Sequence, residues 1–246
     1  PVHCLHQFRA CGDMSTDENG VTEFTCIVPA YNEAPRIGQV LDTAARHPLV
    51  REVLVVDDGS TDGSADLARR RGLRTLVLSR NMGKAMAVAR GLELVRTSHV
   101  LLLDADLVGL EGTDIDRLLE PVISRAAVAS ISLRGNALLA WKLLGFDYVS
   151  GERAFPASLV LSNLAAIEKL PRFGLEVYLN DLLLATGEKI GSVRWPSVKS
   201  PAKTAKRGTL VGIRDEIGMI SDIYRTVGAT RSLDQLRRLK KQAVVY

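Results

Sequence analysis

The sequence predicts an α/β fold: a mostly parallel central sheet covered by helices on both faces. Three observations carry this. Short apolar runs alternate with stretches of helical periodicity through the first half of the chain. The runs are continuous rather than alternating in polarity, as expected of strands buried on both sides. Polar clusters follow the runs directly, where ligands of such sheets bind.

The elements follow in order. Residues 24–28 form the first apolar run, and the loop from Pro29 to Glu33 leads into a helix with Ile37, Val40, Leu41 and Ala44 at three- and four-residue spacing. The unit then repeats. Residues 52–56 read as a strand with a helix over 64–71, and residues 75–78 as a strand with a helix over 84–95. A fourth strand at 99–103 precedes a helix over 113–124, and 127–133 is a fifth run. Later, strand-like pieces at 175–179 and 190–195 sit among helices. A long helical pattern covers 209–227, with Ile213, Ile217, Ile220 and Tyr224 on one side, and a last helix covers 232–244. With no linker and no repeat, this reads as one domain whose later part closes over the sheet edge.

At 246 residues, 46% hydrophobic and 24% charged, the chain has the balance of a globular protein with a substantial core. Its net charge of +4 is small and local, which fits an anionic ligand or membrane surface and gives no sign of nucleic-acid binding. Cys4, Cys11 and Cys26 cannot all pair and lack metal-ligand spacing, which points to a reducing, cytoplasmic setting. No apolar run approaches the roughly 20 residues of a membrane span, so any membrane contact is expected to be peripheral, at the inner face.

The strongest chemical feature is Leu101-Leu-Leu-Asp104-Ala105-Asp106, an apolar strand that delivers two carboxylates to its end. Acids beside a nucleoside diphosphate are unfavourable unless a hard cation bridges them, so the pair predicts Mg2+ or Mn2+. Asp106 is the expected direct ligand, with Asp104 nearer the ribose or sugar; the alternative is a turn or helix cap. In Asp57-Asp58-Gly59-Ser60-Thr61-Asp62 a carboxylate would accept from a nucleobase N–H while Gly59 makes the turn, or the segment simply caps the next helix. Asn81-Met82-Gly83-Lys84 opens a helix whose N–H groups and ammonium would face phosphate, though it lacks the spacing of a P-loop.

Together, Pro29-Ala-Tyr-Asn-Glu33, Val55-Val-Asp-Asp-Gly-Ser-Thr-Asp62, Arg80-Asn-Met-Gly-Lys84 and Leu103-Asp-Ala-Asp106 resemble the ordered signature of the family 2 glycosyltransferases, over residues 22–135. The resemblance implies a Rossmann-like GT-A fold and a UDP- or GDP-linked sugar donor. Pro29, Ala30, Tyr31 and Glu33 would line the nucleotide pocket, Asp58 would contact the base, and Lys84 would lie against the nucleotide. Ser60 and Ala105 belong to the same donor-side loops, and Asp104 and Asp106 are the metal-associated pair. Residues 1–20 then read as an extension, its first 13 residues foreign to the domain, 21–135 as the donor-binding part and 136–246 as the acceptor-side part.

Ser150-Gly-Glu-Arg-Ala154 resembles the acceptor-side loop of members that glycosylate small-molecule or lipid phosphates, and Phe173-Gly-Leu-Glu-Val177 their later acidic motif. Glu176 or Asp181 would deprotonate an acceptor hydroxyl, or Glu176 would orient Arg153; for Asp181 an ordinary ion pair is the preferred reading. A phosphate acceptor needs no base, and Arg153 and the Lys199, Lys203, Lys206 and Arg207 cluster would hold it, or the cluster is an ordinary basic surface. Two departures stand out. Ser200 falls where many relatives place a metal-binding histidine, which implies weaker metal affinity, and Ala85 replaces a usual glycine. Gly191 stands where a processive synthase would have glutamine before Arg194-Trp195, which argues against that class. The last helix, with Leu233, Leu236 and Leu239 beside Arg237, Arg238, Lys240 and Lys241, would lie on an anionic membrane or pack on its own domain or a second subunit, as in a homodimer; packing is preferred. The rival readings are a nucleotidyltransferase, which would need a glycine-rich basic first loop, and a nucleotide-sugar-binding regulatory domain.

Overall fold

The computed structural model describes residues 22–171, 174–201 and 228–246. Its strands are β1 (Phe24–Ala30), β2 (Val50–Asp57), β3 (Arg74–Val77), β4 (His99–Leu102), β5 (Ala129–Arg134), β6 (Arg153–Pro156), β7 (Ile190–Trp195) and β8 (Ala243–Val245). They form one sheet in the order β3-β2-β1-β4-β6-β5-β7-β8. All neighbours pair in parallel except β6, which runs antiparallel to both β4 and β5. Strand order reverses where β4 joins β1, and a crevice at such a switch point is where open α/β sheets bind ligands.

The helices are α1 (Ala34–Ala45), α2 (Ser64–Arg70), α3 (Lys84–Leu92), α4 (Gly112–Ile123), α5 (Leu139–Leu144), α6 (Ser158–Leu161), α7 (Leu164–Ile167), α8 (Gly174–Thr186) and α9 (Ala229–Gln242). The continuous apolar strands serve two cores at once. On β1, Cys26 and Val28 join Ile37 and Leu41 of α1 and Ile115 and Leu118 of α4 on one face. Ile27 joins Val88 and Leu92 of α3 and Leu179 and Leu183 of α8 on the other. Successive strand residues point to opposite faces, so an apolar run without alternation requires a cover on each side.

The second half departs from the sequence expectation. Residues 175–179 are helical, within α8, not strand. Their alternation of Leu175, Val177 and Leu179 with Glu176, Tyr178 and Asn180 imitates a strand. Yet Glu176 and Asn180 are themselves buried, so the helix is covered nearly all round and its period is obscured. Strand β6 was not anticipated, and the later chain extends the sheet through β7 and β8 rather than only closing over its edge. The last helix stops at Gln242, and Ala243–Val245 pairs with β7. Ser232, Gln235 and Leu239 are buried, and α9 packs on α8, so its inner face is covered by its own domain. The helical pattern over 209–227 lies outside the described residues.

Candidate active site at the carboxyl ends of the strands

The first three loops are fastened to one another before any ligand arrives. Asn32, at a left-handed φ of 55°, donates its N–H to Ser60 Oγ at 2.9 Å, and its Oδ1 accepts from Thr61 N at 2.9 Å. Glu33 N donates to Ser64 Oγ and Ala34 N to Asp62 Oδ2, both at 2.9 Å. Asp58 binds loop three: its two oxygens accept from Met82 N at 2.7 Å and Gly83 N at 2.8 Å. The residue assigned to the base thus braces the opening of α3. Glu33 holds the Arg36 guanidinium at 2.6 Å, Ala30 is buried, and Tyr31 is 46% exposed at the rim.

Below these loops Lys84, the first residue of α3, reaches across the sheet. Its Nζ lies 2.7 Å from Asp104 Oδ1, just past the end of β4, and 3.0 Å from Glu176 Oε1 on the first turn of α8. Burial alone would lower the lysine pKa, but the two carboxylates more than reverse this and hold it charged. Burial likewise pushes the Asp104 carboxyl upward, and the charges of Lys84 and Arg134 bring it below the usual carboxylate value. Gly151 admits this pair. A Cβ there would lie 2.5 Å from both Asp104 Oδ1 and Lys84 Nζ, so a larger residue at the entry to β6 would displace the tips of that ion pair.

Arg134, at the end of β5, adds a second cation whose charge reaches Asp104. It bridges Glu152 at 3.4 Å and Asp147 at 3.6 Å, and its charge is also felt by Asp104 and Asp106. Glu152 is fully buried and accepts from Ser132 Oγ at 2.6 Å and Ser150 Oγ at 2.7 Å. Burial raises the Asp147 carboxyl above its ordinary value, and Arg134 offsets part of that. None of these had been assigned a role from sequence. Arg134 was detectable by the same strand-end rule that flagged Asp104, and Glu152 sits inside the Ser150–Ala154 motif.

Arg153 is wholly buried. It donates from Nε to Ser150 O at 2.8 Å and from Nη1 to Asn180 Oδ1 at 2.7 Å. Burial lowers its pKa, opposed by Glu176 and Asp147. Asp181 points instead toward α9, accepting from Arg231 and Gln235. The structure therefore gathers Lys84, Asp104 and Glu176, with Arg153 electrostatically linked to Glu176, and directs Asp181 elsewhere.

Asp106 is half-buried, and its Oδ2 accepts from Ser200 Oγ at 2.8 Å; Ala105 between the two acids is core. Among the described residues no three His, Cys, Asp or Glu side chains meet as a metal cage. A cation at this tip would draw its remaining ligands from a diphosphate. That fits the donor chemistry of paired carboxylates with a hard ion.

The model of the family described as "Glycosyl transferase family 2" matches residues 25–148, half of the chain. The chain belongs to that family. It is 35% identical over 126 residues to the uncharacterized glycosyltransferase YaiP of Escherichia coli, covering 46% of this chain and 31% of YaiP. It is also 35% identical over 117 residues to the dolichyl-phosphate beta-glucosyltransferase of Dictyostelium discoideum, covering 41% of this chain and 36% of that protein. The match spans about a third of the length of these curated relatives. Among solved structures, the fold is similar to glucosyl-3-phosphoglycerate synthase from Mycobacterium tuberculosis, crystallised with Mn2+, UDP and glucosyl-3-phosphoglycerate. The TM-score is 0.63 at 23% identity, covering 88% of this chain and 80% of that one. The GT-A architecture expected from the motifs is the one observed.

Proposed function

We propose that this family 2 glycosyltransferase moves a hexose from a UDP- or GDP-linked donor, held through Mn2+ or Mg2+, onto a small-molecule or lipid phosphate. One observation carries the reading: Lys84 joins Asp104 from the donor-side loops to Glu176 from the acceptor-side helix at a single point on the strand-end rim. Family membership, the Mn2+ and UDP in the structurally similar synthase, and the dolichyl-phosphate named for the Dictyostelium relative support the donor and acceptor classes.

Asp106 would hold the cation and Asp104 would face the ribose or sugar. The metal, when bound, would neutralise charge on the departing diphosphate. Lys84 would fix the Asp104 carboxylate at the rim where the donor is proposed to lie. A phosphate monoester is already largely anionic at neutral pH, its second pKa being about 6, so Glu176 would orient that acceptor; with a hydroxyl acceptor it would serve as base. Arg153, enclosed and already bonded, acts as a positioning residue beneath Glu176, and Arg134 is the cation nearer the reacting charges. No helix among the described residues is long and apolar enough to cross a membrane. We place the chain in the cytoplasm, at the membrane face when its acceptor is lipid-linked.

The test is thermal stabilisation by UDP- and GDP-sugars with and without Mn2+, followed by product analysis. Asp106→Ala should abolish the metal-dependent stabilisation while leaving the circular dichroism spectrum unchanged, and turnover should release free UDP or GDP. Equal stabilisation of the variant, transfer that survives chelation, or release of pyrophosphate would each refute the proposal.

A further inference from the structure

The imidazole and thiol groups of this chain are few, and the described ones lie away from Asp106. The histidines are His3, His6, His47 and His99, the cysteines Cys4, Cys11 and Cys26, and no histidine or cysteine follows residue 99. His47 is taken up by Asp116 at 3.0 Å. His99 begins β4, at the opposite end of that strand from the acidic tip, and Cys26 is buried within β1. Beside Asp106 stands the Ser200 hydroxyl, 2.8 Å from Oδ2.

That hydroxyl is placed by its backbone. Val108 and Lys199 exchange two N–H to carbonyl bonds, at 2.8 and 3.0 Å. Asn136 grips Ser200 from the other side, donating from Nδ2 to its carbonyl at 2.6 Å and accepting its N–H on Oδ1 at 3.3 Å. Gly135 donates to the carbonyls of Trp195 and Val198, and a Cβ on it would lie 2.1 Å from Pro196 O. The loop is therefore seated on both flanks of the acidic tip, and the hydroxyl arrives already oriented. A donor held this way costs little reorganisation when the carboxylate takes up a cation.

Building on the metal reading above, we propose that the protein's contribution to the cation is oxygen alone, with Ser200 as the positioning residue that aims Asp106. The hydroxyl donates to one carboxylate oxygen and orients the other toward the metal. Carboxylate, hydroxyl and phosphate oxygens suit Mg2+ and Mn2+, whereas imidazole and thiolate favour later transition ions. The site consequently accepts Mg2+ and Mn2+ on similar terms and gives Co2+ and Ni2+ little extra hold.

The experiment uses the full chain with UDP or GDP, whichever stabilises it, and titrates Mg2+, Mn2+ and Co2+ by calorimetry, with electron spin-echo spectra of bound Mn2+. In the wild type, Mg2+ and Mn2+ should bind within about tenfold of each other, and the Mn2+ spectrum should show no nitrogen coupling. Ser200→Ala should weaken both ions by about 10-fold or more. Ser200→His should introduce nitrogen coupling and shift preference toward Mn2+ and Co2+ over Mg2+. Nitrogen coupling in the wild type, or unchanged affinities in Ser200→Ala while Asp106→Ala binds no metal, would overturn this inference and leave the function standing. Failure of the wild type to bind any metal with nucleotide would overturn both.

Discussion

Replacing Lys84 by methionine keeps the aliphatic stem and deletes the ammonium that lies 2.7 Å from Asp104 and 3.0 Å from Glu176. Removing one partner of a fully buried ion pair costs about 3–5 kcal/mol, because the other charge is stranded. Here the Lys84 side chain keeps 35% of its surface exposed, against 24% for Asp104 and 9% for Glu176. Water therefore screens part of the loss, and the expected cost is about 1–3 kcal/mol. At about 2–4 °C per kcal/mol for a chain of this size, the melting temperature should fall by about 2–12 °C. The pH dependence carries the sharper signature. In the wild type Asp104 is held below its ordinary value, so its contribution to stability is present above the unfolded pKa and is lost as pH falls through the folded one. Without Lys84, the largest of the lowering charges is gone, and burial pushes the folded pKa of Asp104 upward against Arg134 alone. The variant then gains less stability than the wild type as pH rises through the carboxylate range toward neutrality. Urea denaturation across this range should show a gap between the two proteins that is small near the acid end and largest near neutrality. A gap independent of pH, or a variant as stable as the wild type at neutral pH, would refute this account of the Lys84 cluster.

Gly151→Ala places a Cβ 2.5 Å from the Asp104 and Lys84 side-chain tips. It should cost about 1–3 kcal/mol and weaken donor-induced thermal stabilisation with the fold retained; unchanged donor binding would show that the close approach is unimportant. Gln235→Ala removes the partner of Tyr148 OH, at 2.6 Å, and of Val177 O, at 3.1 Å. The expected loss is about 1–3 kcal/mol, with hydrogen exchange accelerating first in α9; uniform acceleration through the sheet would contradict a local role. His99 is buried, and burial holds its pKa down at about 4. Its folded value is depressed, so up to about 3 kcal/mol of stability present above the unfolded pKa near 6.5 is lost as pH falls toward 4. Urea titrations from neutral pH downward should show a decline that His99→Gln flattens, and parallel curves would exclude the histidine as its source.

The first half was legible because its strands are short, uninterrupted apolar runs and its polar clusters obey a positional rule. Asp104 and Lys84 stand out in the sequence by where they fall, and the fold brings them within 2.7 Å of each other. Asp58 shows the boundary of that reading: it falls at a strand end, but nothing in the sequence says that both its oxygens are spent on Met82 and Gly83. Strand β6 was invisible because four residues that begin with a buried arginine and end in proline carry no strand pattern. They are a strand only through pairing with β4 and β5. Helix α8 was misread because burial of Glu176 and Asn180 erased its polar face. The Arg134, Asp147 and Glu152 network depends on a chain reversal between residues 135 and 153, and local composition does not encode such long-range meetings.

Strand β6 has one more consequence. Because it runs against its neighbours, the chain enters it from the edge that carries Asp104 and Lys84, and the residues before it reach that edge without lengthening any loop after β1 to β4. Two stretches distant in sequence thus meet at that edge, where the Lys84 ammonium joins Asp104 to Glu176 and the chain at Gly151 passes close beside them. A change in the approach to β6 would therefore reshape that edge from one side, with the register of β1 to β4 untouched.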